Sequence, residues 1–107
     1  MHPVFVRDFQ SIIAVSAERL KKLAGSTILV TGCCGFIGSY LMDFFAYCND
    51  NFFSGKCQII GMDNATNVFS IGRRRLTHLE RRDDVELWSR DISALPPFSL
   101  SHVDWII

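Results

Sequence analysis

Residues 26–45, STILVTGCCGFIGSYLMDFF, set a β-branched run, three evenly spaced glycines and an apolar helical stripe end to end. Few folds accommodate that order. The run TILVT at 27–31 has the unbroken apolar character of a strand buried on both faces. From Phe36 onward the residues Ile37, Leu41, Phe44, Phe45 and Cys48 recur at helical spacing. Between strand and helix, Gly32, Gly35 and Gly38 form G-x-x-G-x-x-G. The first glycine permits a tight turn out of the strand. The second removes a Cβ where a pyrophosphate must approach the backbone, and the third lets the helix pack closely on the sheet. The N–H groups at the helix start, with the helix dipole, favour a diphosphate at that point.

The flanking sequence continues the same alternation. Residues 8–23 place Phe9, Ile12, Ile13, Ser16, Leu20 and Leu23 on one helical stripe, with Asp8 as N-cap and Gly25 as the stop. CQIIGMD at 57–63 predicts a second buried strand, residues 70–82 a basic helix with Ile71, Leu76 and Leu79 apolar, and VELW at 85–88 a third strand. Pro96 and Pro97 break any helix that starts near Ile92, and VDWII at 103–107 predicts a fourth strand. The fold class expected is α/β: a partial doubly wound, Rossmann-like parallel sheet of about four strands with helices on both faces, preceded by an N-terminal helix. Residues 1–25 then form a helical leader, and residues 26–107 the N-terminal half of a dinucleotide-binding domain. Doubly wound sheets usually carry six strands or so, so the chain is expected to be the front of a larger domain.

Composition narrows the function classes. With 49% apolar and 21% charged residues the chain builds a core, and its net charge of zero gives no broad footprint for nucleic acid or an anionic membrane. No stretch reaches the roughly 18 uninterrupted apolar residues of a membrane span, and Arg7, Asp8 and Glu18 interrupt what a secretory signal would need. The four cysteines, Cys33, Cys34, Cys48 and Cys57, show neither a CxxC pair nor Cys/His ligand spacing. Reduced thiols, a cytoplasmic location and no metal are the expectation.

Asp63 comes 25 residues after Gly38, at the end of the second strand. That position suits a carboxylate accepting hydrogen bonds from the adenosine ribose, and the bland alternative is a strand-ending turn. A carboxylate there repels a 2′-phosphate, so NAD is favoured over NADP. The arginines 73–75, with Arg81 and Arg82, read as a solvated helix face ahead of a phosphate site. Cys33 and Cys34 occupy turn positions where small side chains are tolerated; the sharper alternative is a redox-sensing thiol at a helix N-terminus.

These residues carry a resemblance. ILVTGCCGFIGSYL resembles the N-terminal fingerprint of the extended short-chain dehydrogenase/reductase superfamily, in particular the NAD-dependent epimerase/dehydratase family acting on nucleotide sugars. The similarity continues through GMDNATN, WSRDIS and VDWII, and the preceding LKKLAGSTILVTG is similar to members from bacterial surface-polysaccharide pathways. The resemblance implies that backbone at Gly32, Gly35, Phe36, Ile37 and Gly38 holds the pyrophosphate of NAD. It also implies that Asp63 and Asn64 hold the adenosine ribose, that Thr66 contacts a phosphate or the ribose, and that Asp91 and Ile92 contact adenine. Cys33 and Cys34 depart from the Gly, Ala or Ser usual in the family.

The family reaction is transient hydride transfer to NAD+ with a Tyr-x-x-x-Lys pair, in which the ammonium lowers the tyrosine pKa. Tyr40 is followed four residues on by Phe44 and Tyr47 by Asn51, so no catalytic residue carries over and the 107 residues alone are expected to be inert. A nucleotide-sugar substrate belongs to the full-length protein. The alternative function is a non-catalytic dinucleotide-binding or assembly module. An exposed strand at 103–107 is expected to make the chain a homo-oligomer.

Overall fold

The computed structural model describes residues 3–63, 76–89 and 101–107. Helix α1 spans Pro3–Leu20 and runs into a 3-10 turn at Lys21–Leu23. Strand β1 (Thr27–Thr31) leads through the glycine turn into helix α2 (Phe36–Asn51) and strand β2 (Gln58–Asp63). A 3-10 turn at Thr77–Leu79 precedes β3 (Val85–Ser89), and β4 is the short Trp105–Ile106.

The four strands form one sheet in the order β3-β2-β1-β4, and every pairing is parallel. β1 sits centrally because Ile28, Leu29 and Val30 are all buried, so it needs a neighbour on each side and cover on each face. In-register pairs such as Ile28↔Ile59 and Leu29↔Ile60 sort the strand residues onto two faces. On one face Ile28, Val30 and Ile59 join Met42, Phe44, Phe45 and Cys48 of α2 in the main core. On the other, Leu29, Ile60 and Met62 form a smaller cluster with Trp88 and Val103. The described helices both contribute to the main core; whether a helix also covers the second face falls outside the described residues.

The N-terminal helix differs from the sequence expectation in extent. It begins at Pro3, a residue type at home in the first turn because it lacks an N–H to satisfy, and Asp8 lies inside it instead of capping it. Asp8 instead accepts a hydrogen bond from the Tyr40 hydroxyl at 3.3 Å. Helix α1 packs on α2. Phe9 is 0% exposed, with its ring 5.1–5.5 Å from those of Tyr40, Phe44 and Tyr47, and Leu20 is buried in the same core. Burying a Phe or Leu contributes about 1.5–3 kcal/mol each, so the helix is part of the fold it precedes.

The basic helix expected at 70–82 is corrected in its described part. From Leu76 the backbone makes one 3-10 turn and then a further turn through residue 84. Leu76 and Leu79 are buried three residues apart, which a 3-10 turn satisfies, and Arg82 is drawn out of any helical face by Asp50 and Asp84. Residues 70–75, including arginines 73–75, lie outside the described residues, as does the stretch around Ile92 and Pro96. Among the described residues no helix is long and apolar enough to cross a membrane.

Candidate functional site

The glycine turn sits at the C-terminal edge of β1, between β2 on one side and β4 on the other. In an open parallel sheet this is where the chain direction of winding changes and where a crevice forms. The turn's backbone has two demands that only glycine meets. Gly32 has φ +64°, in the left-handed region. At Gly38 an added Cβ would lie 2.1 Å from the Gly32 carbonyl oxygen and 2.9 Å from Cys33 Cα. These are backbone atoms, which cannot step aside, so the first turn of α2 rests directly on the turn that leads into it.

Within the turn, Gly35 N–H donates to Gly32 O at 3.0 Å and Ser39 N–H to Gly35 O at 2.9 Å, the latter opening the α2 ladder. Gly35 is the N-cap and, having no side chain, supplies no capping bond. The N–H groups of Phe36, Ile37 and Gly38 are thus the first-turn donors that helix geometry leaves without an intrahelical acceptor. Beside them the Phe36 and Ile37 side chains are 74% and 72% exposed. Ile37 therefore leaves the apolar stripe assigned to it from sequence, because it lies in the first turn, beyond the sheet that the later turns cover.

Asp63 ends β2 at the level of this turn, since Thr31 pairs with Met62. Its Oδ2 accepts a hydrogen bond from Cys34 N–H at 3.0 Å, and Cys33 N–H donates to Met62 O at 3.2 Å. The second strand is thereby stitched to the turn. Of the residues expected to form the site, Gly32, Gly35, Phe36, Ile37, Gly38 and Asp63 are brought together at one edge. Asn64, Thr66, Asp91 and Ile92 lie outside the described residues.

The thiols have a place that sequence reasoning did not find. Cys33 and Cys34 are 2% and 5% exposed. Cys33 lies over Gly61 of β2, where an added Cβ would meet its Cβ and Sγ at 3.0 Å and Met42 Cε at 2.8 Å. A glycine in the strand makes room for a cysteine in the turn. The ligating atoms of Cys33, Cys34 and Asp63 all lie within 4.8 Å of one another. The signal was in the register: two parallel strands ending together bring residues 33 and 34 next to residue 63.

Tyr40 packs against Phe5 and Phe9 and donates to Asp8; burial first, then the Asp8 carboxylate, pushes its hydroxyl pKa up. A tyrosine base needs the opposite shift. A surface depression lined by Lys56, Gln58, Arg81 and Asp83 lies at the other edge of the sheet, where β2 and β3 begin. There Arg82 is committed to Asp50 and Asp84 through four hydrogen bonds of 2.8–2.9 Å, so it is neither on a solvated face nor near the glycine turn.

No protein-family model, curated protein or solved structure matches the chain.

Proposed function

We propose that the chain is the NAD-binding front portion of an NAD-dependent nucleotide-sugar epimerase or dehydratase. The observation that carries this reading is the glycine turn: a left-handed Gly32, a Gly38 pressed on its carbonyl, and uncapped first-turn N–H groups, all at the C-terminal end of β1, between β2 and β4. In this reading Phe36, Ile37 and Gly38 N–H groups receive the diphosphate, where helix dipole and unpaired donors act together. The Asp63 carboxylate, oriented by Cys34 N–H, accepts from the adenosine ribose and disfavours a 2′-phosphate. Bound NAD+ supplies the hydride acceptor. No tyrosine in these 107 residues is followed by lysine at the fourth position, so turnover of a nucleotide sugar is assigned to the larger protein and the chain alone is inert.

The test is calorimetric titration of NAD+ and NADP+ into the 107-residue chain. NAD+ binding that exceeds NADP+ binding and is lost in Gly38→Ala supports the reading. Binding of neither, by a chain shown to be folded, overturns it.

A second reading, a non-catalytic binding or assembly module, draws on β4. Trp105, Ile106 and Ile107 are about half exposed on a strand that pairs with β1 along one side. A strand of this kind is a template for pairing with another chain, and homo-oligomers joined through residues 103–107 are the expected product. A monomer at high concentration in light scattering would remove that support.

A further inference from the structure

The dinucleotide reading uses the backbone of the turn and leaves its two thiols without a task. Their setting is specific. Cys33 is fixed by its packing on Gly61 and by Cys33 N–H to Met62 O, and Cys34 by its N–H on the Asp63 carboxylate. Three ligating atoms from two different strand ends, Cys33 Sγ, Cys34 Sγ and a carboxylate oxygen of Asp63, are held within 4.8 Å of one another. The other two cysteines neighbour each other, but among the described residues no third ligating side chain joins them: Cys57 donates its S–H to Leu23 O at 2.9 Å, and burial, then the nearby Cys57, pushes the Cys48 thiol up to about 12.

Oxidation to a disulfide is a poor outlet for this pair. Adjacent Cα atoms are about 3.8 Å apart, shorter than the roughly 4.4–6.8 Å that disulfides span. Chelation has no such restriction. A tetrahedral zinc ion with Zn–S bonds of about 2.3 Å and a Zn–O bond of about 2.1 Å holds two thiolates about 3.8 Å apart and the oxygen about 3.5 Å from each, so the donor set needs to contract by roughly 1.3 Å at most. Two sulfurs and one carboxylate are a soft-to-borderline set, which selects d10 cations over magnesium or calcium. The Cys34 N–H bond to Asp63 is the outer-sphere contact that would orient the carboxylate.

We propose that Cys33, Cys34 and Asp63 form a three-ligand site for a thiophilic divalent cation, zinc being the physiological candidate. Each thiol releases its proton to water as its S–metal bond forms, and no electron changes hands. The two protons released balance the charge of the ion, so the net charge of the turn does not change on binding. The metal instead takes the Asp63 carboxylate that would accept from the ribose, so metal and dinucleotide compete for one side chain. That antagonism rests on the dinucleotide reading; the site itself does not.

The experiment uses the reduced, metal-stripped 107-residue chain and Cd2+ as probe, following the ultraviolet charge-transfer band of Cd–thiolate bonds, with Zn2+ as competitor. The expected result is one ion per chain with the intensity of two Cd–S bonds, displaced by Zn2+. Cys34→Ser should halve the band and weaken binding by about 10-fold or more, and Asp63→Asn should weaken binding by about 10-fold at unchanged band intensity. Cys48→Ala and Cys57→Ala should leave the band as it is. Circular dichroism establishes that each variant is folded, and because Cys33 also fills the space over Gly61, Cys34→Ser carries the test. Absence of the band, or a band that survives Cys34→Ser and is lost with Cys48 or Cys57, overturns the site. Saturating Zn2+ should weaken NAD+ binding about 10-fold; an unchanged affinity overturns the antagonism alone. If NAD+ does not bind at all, the dinucleotide reading falls, and the Cd2+ band still decides the metal site.

Discussion

Where β2 and β3 begin, Arg82 donates four hydrogen bonds to Asp50 and Asp84. Asn49 closes the network by bonding Asp84 Oδ2 and both the N–H and the carbonyl of Cys57, at 2.8–2.9 Å. Where β1 and β2 end, there is instead a glycine helix start pressed on a carbonyl, one carboxylate on a backbone N–H, and two thiols. The first edge satisfies its buried side-chain polar groups internally; the second points helix donors outward. The contrast assigns roles. A saturated edge anchors the end of α2 to two strands, and this lets the opposite edge keep unfilled donors at the start of the same helix without losing the helix.

The sharpest way to break the comparison is Gly38→Ala. Its Cβ would collide with the Gly32 carbonyl at 2.1 Å, and overpacking against backbone costs about 3 kcal/mol or more. Urea denaturation should show that loss, and on the dinucleotide reading proposed above, titration of the folded variant should show the loss of NAD+ binding. A variant as stable as its parent would mean the helix does not depend on resting against the turn.

Next comes Asn49→Ala at the other edge. Removing the amide takes the side-chain partner from the buried Cys57 N–H and Cys57 O and one of several partners from Asp84, which keeps Arg82, and costs about 2–3 kcal/mol. On the dinucleotide reading, NAD+ affinity measured on folded protein should stay within about twofold of the parent, because the network lies at the far end of α2. If Asn49→Ala lowers affinity as much as Gly38→Ala does, the two edges are not separable and the comparison fails.

Much of this division was legible in the sequence, for identifiable reasons. TILVT, QIIGMD and VELW are strands because β-branched and apolar runs of four to six residues bury best that way, and Gly32 and Gly38 announce the turn because the first takes a left-handed φ and the second has no room for a Cβ. Long-range polar pairing was not legible. Arg82 reads as one more charge in RRRLTHLERRDD, and nothing local says that Asp50, 32 residues earlier, will meet it. The same holds for Asp43 of α2, which pairs with His78. The start of α1 was misplaced for a different reason. Asp8 is a good cap by type, but tertiary packing of Phe5 and Phe9 on Tyr40 favours helix through that point. The Cys33–Gly61 fit lay between the two cases: visible only once the β1–β2 register is known.

That fit gives a smaller prediction. Gly61→Ala places a Cβ 2.8 Å from the flexible end of Met42 and 3.0 Å from Cys33 Cβ and Sγ, and should cost about 1–2 kcal/mol. In a Cys33→Ala background the sulfur is gone, and the same change should cost about 1 kcal/mol less, measurable as a coupling in a double-mutant cycle. Additive effects would show that the turn does not sit against the strand, and the thiols would then lose their fixed position as well.

The smallest effect expected is a pH dependence confined to the anchored edge. Hydrogen bonds from Arg82 hold the carboxyls of both Asp50 and Asp84 below their ordinary values. A carboxyl whose folded pKa is depressed adds stability that is complete above its unfolded pKa of about 3.9 and drains away as pH falls through the folded value. Asp50 is half exposed, so solvent screens its share, and roughly 1 kcal/mol or less in total is expected, most of it from Asp84. Thermal unfolding between pH about 5 and 2.5 should therefore show an acid decline that is shallower in Arg82→Ala than in the parent. Asp63→Asn, at the other edge, should leave the difference between those two profiles unchanged. Equal acid slopes with and without Arg82 would place the titrating carboxylates elsewhere in the molecule and detach the ionic network from the stability it is assigned.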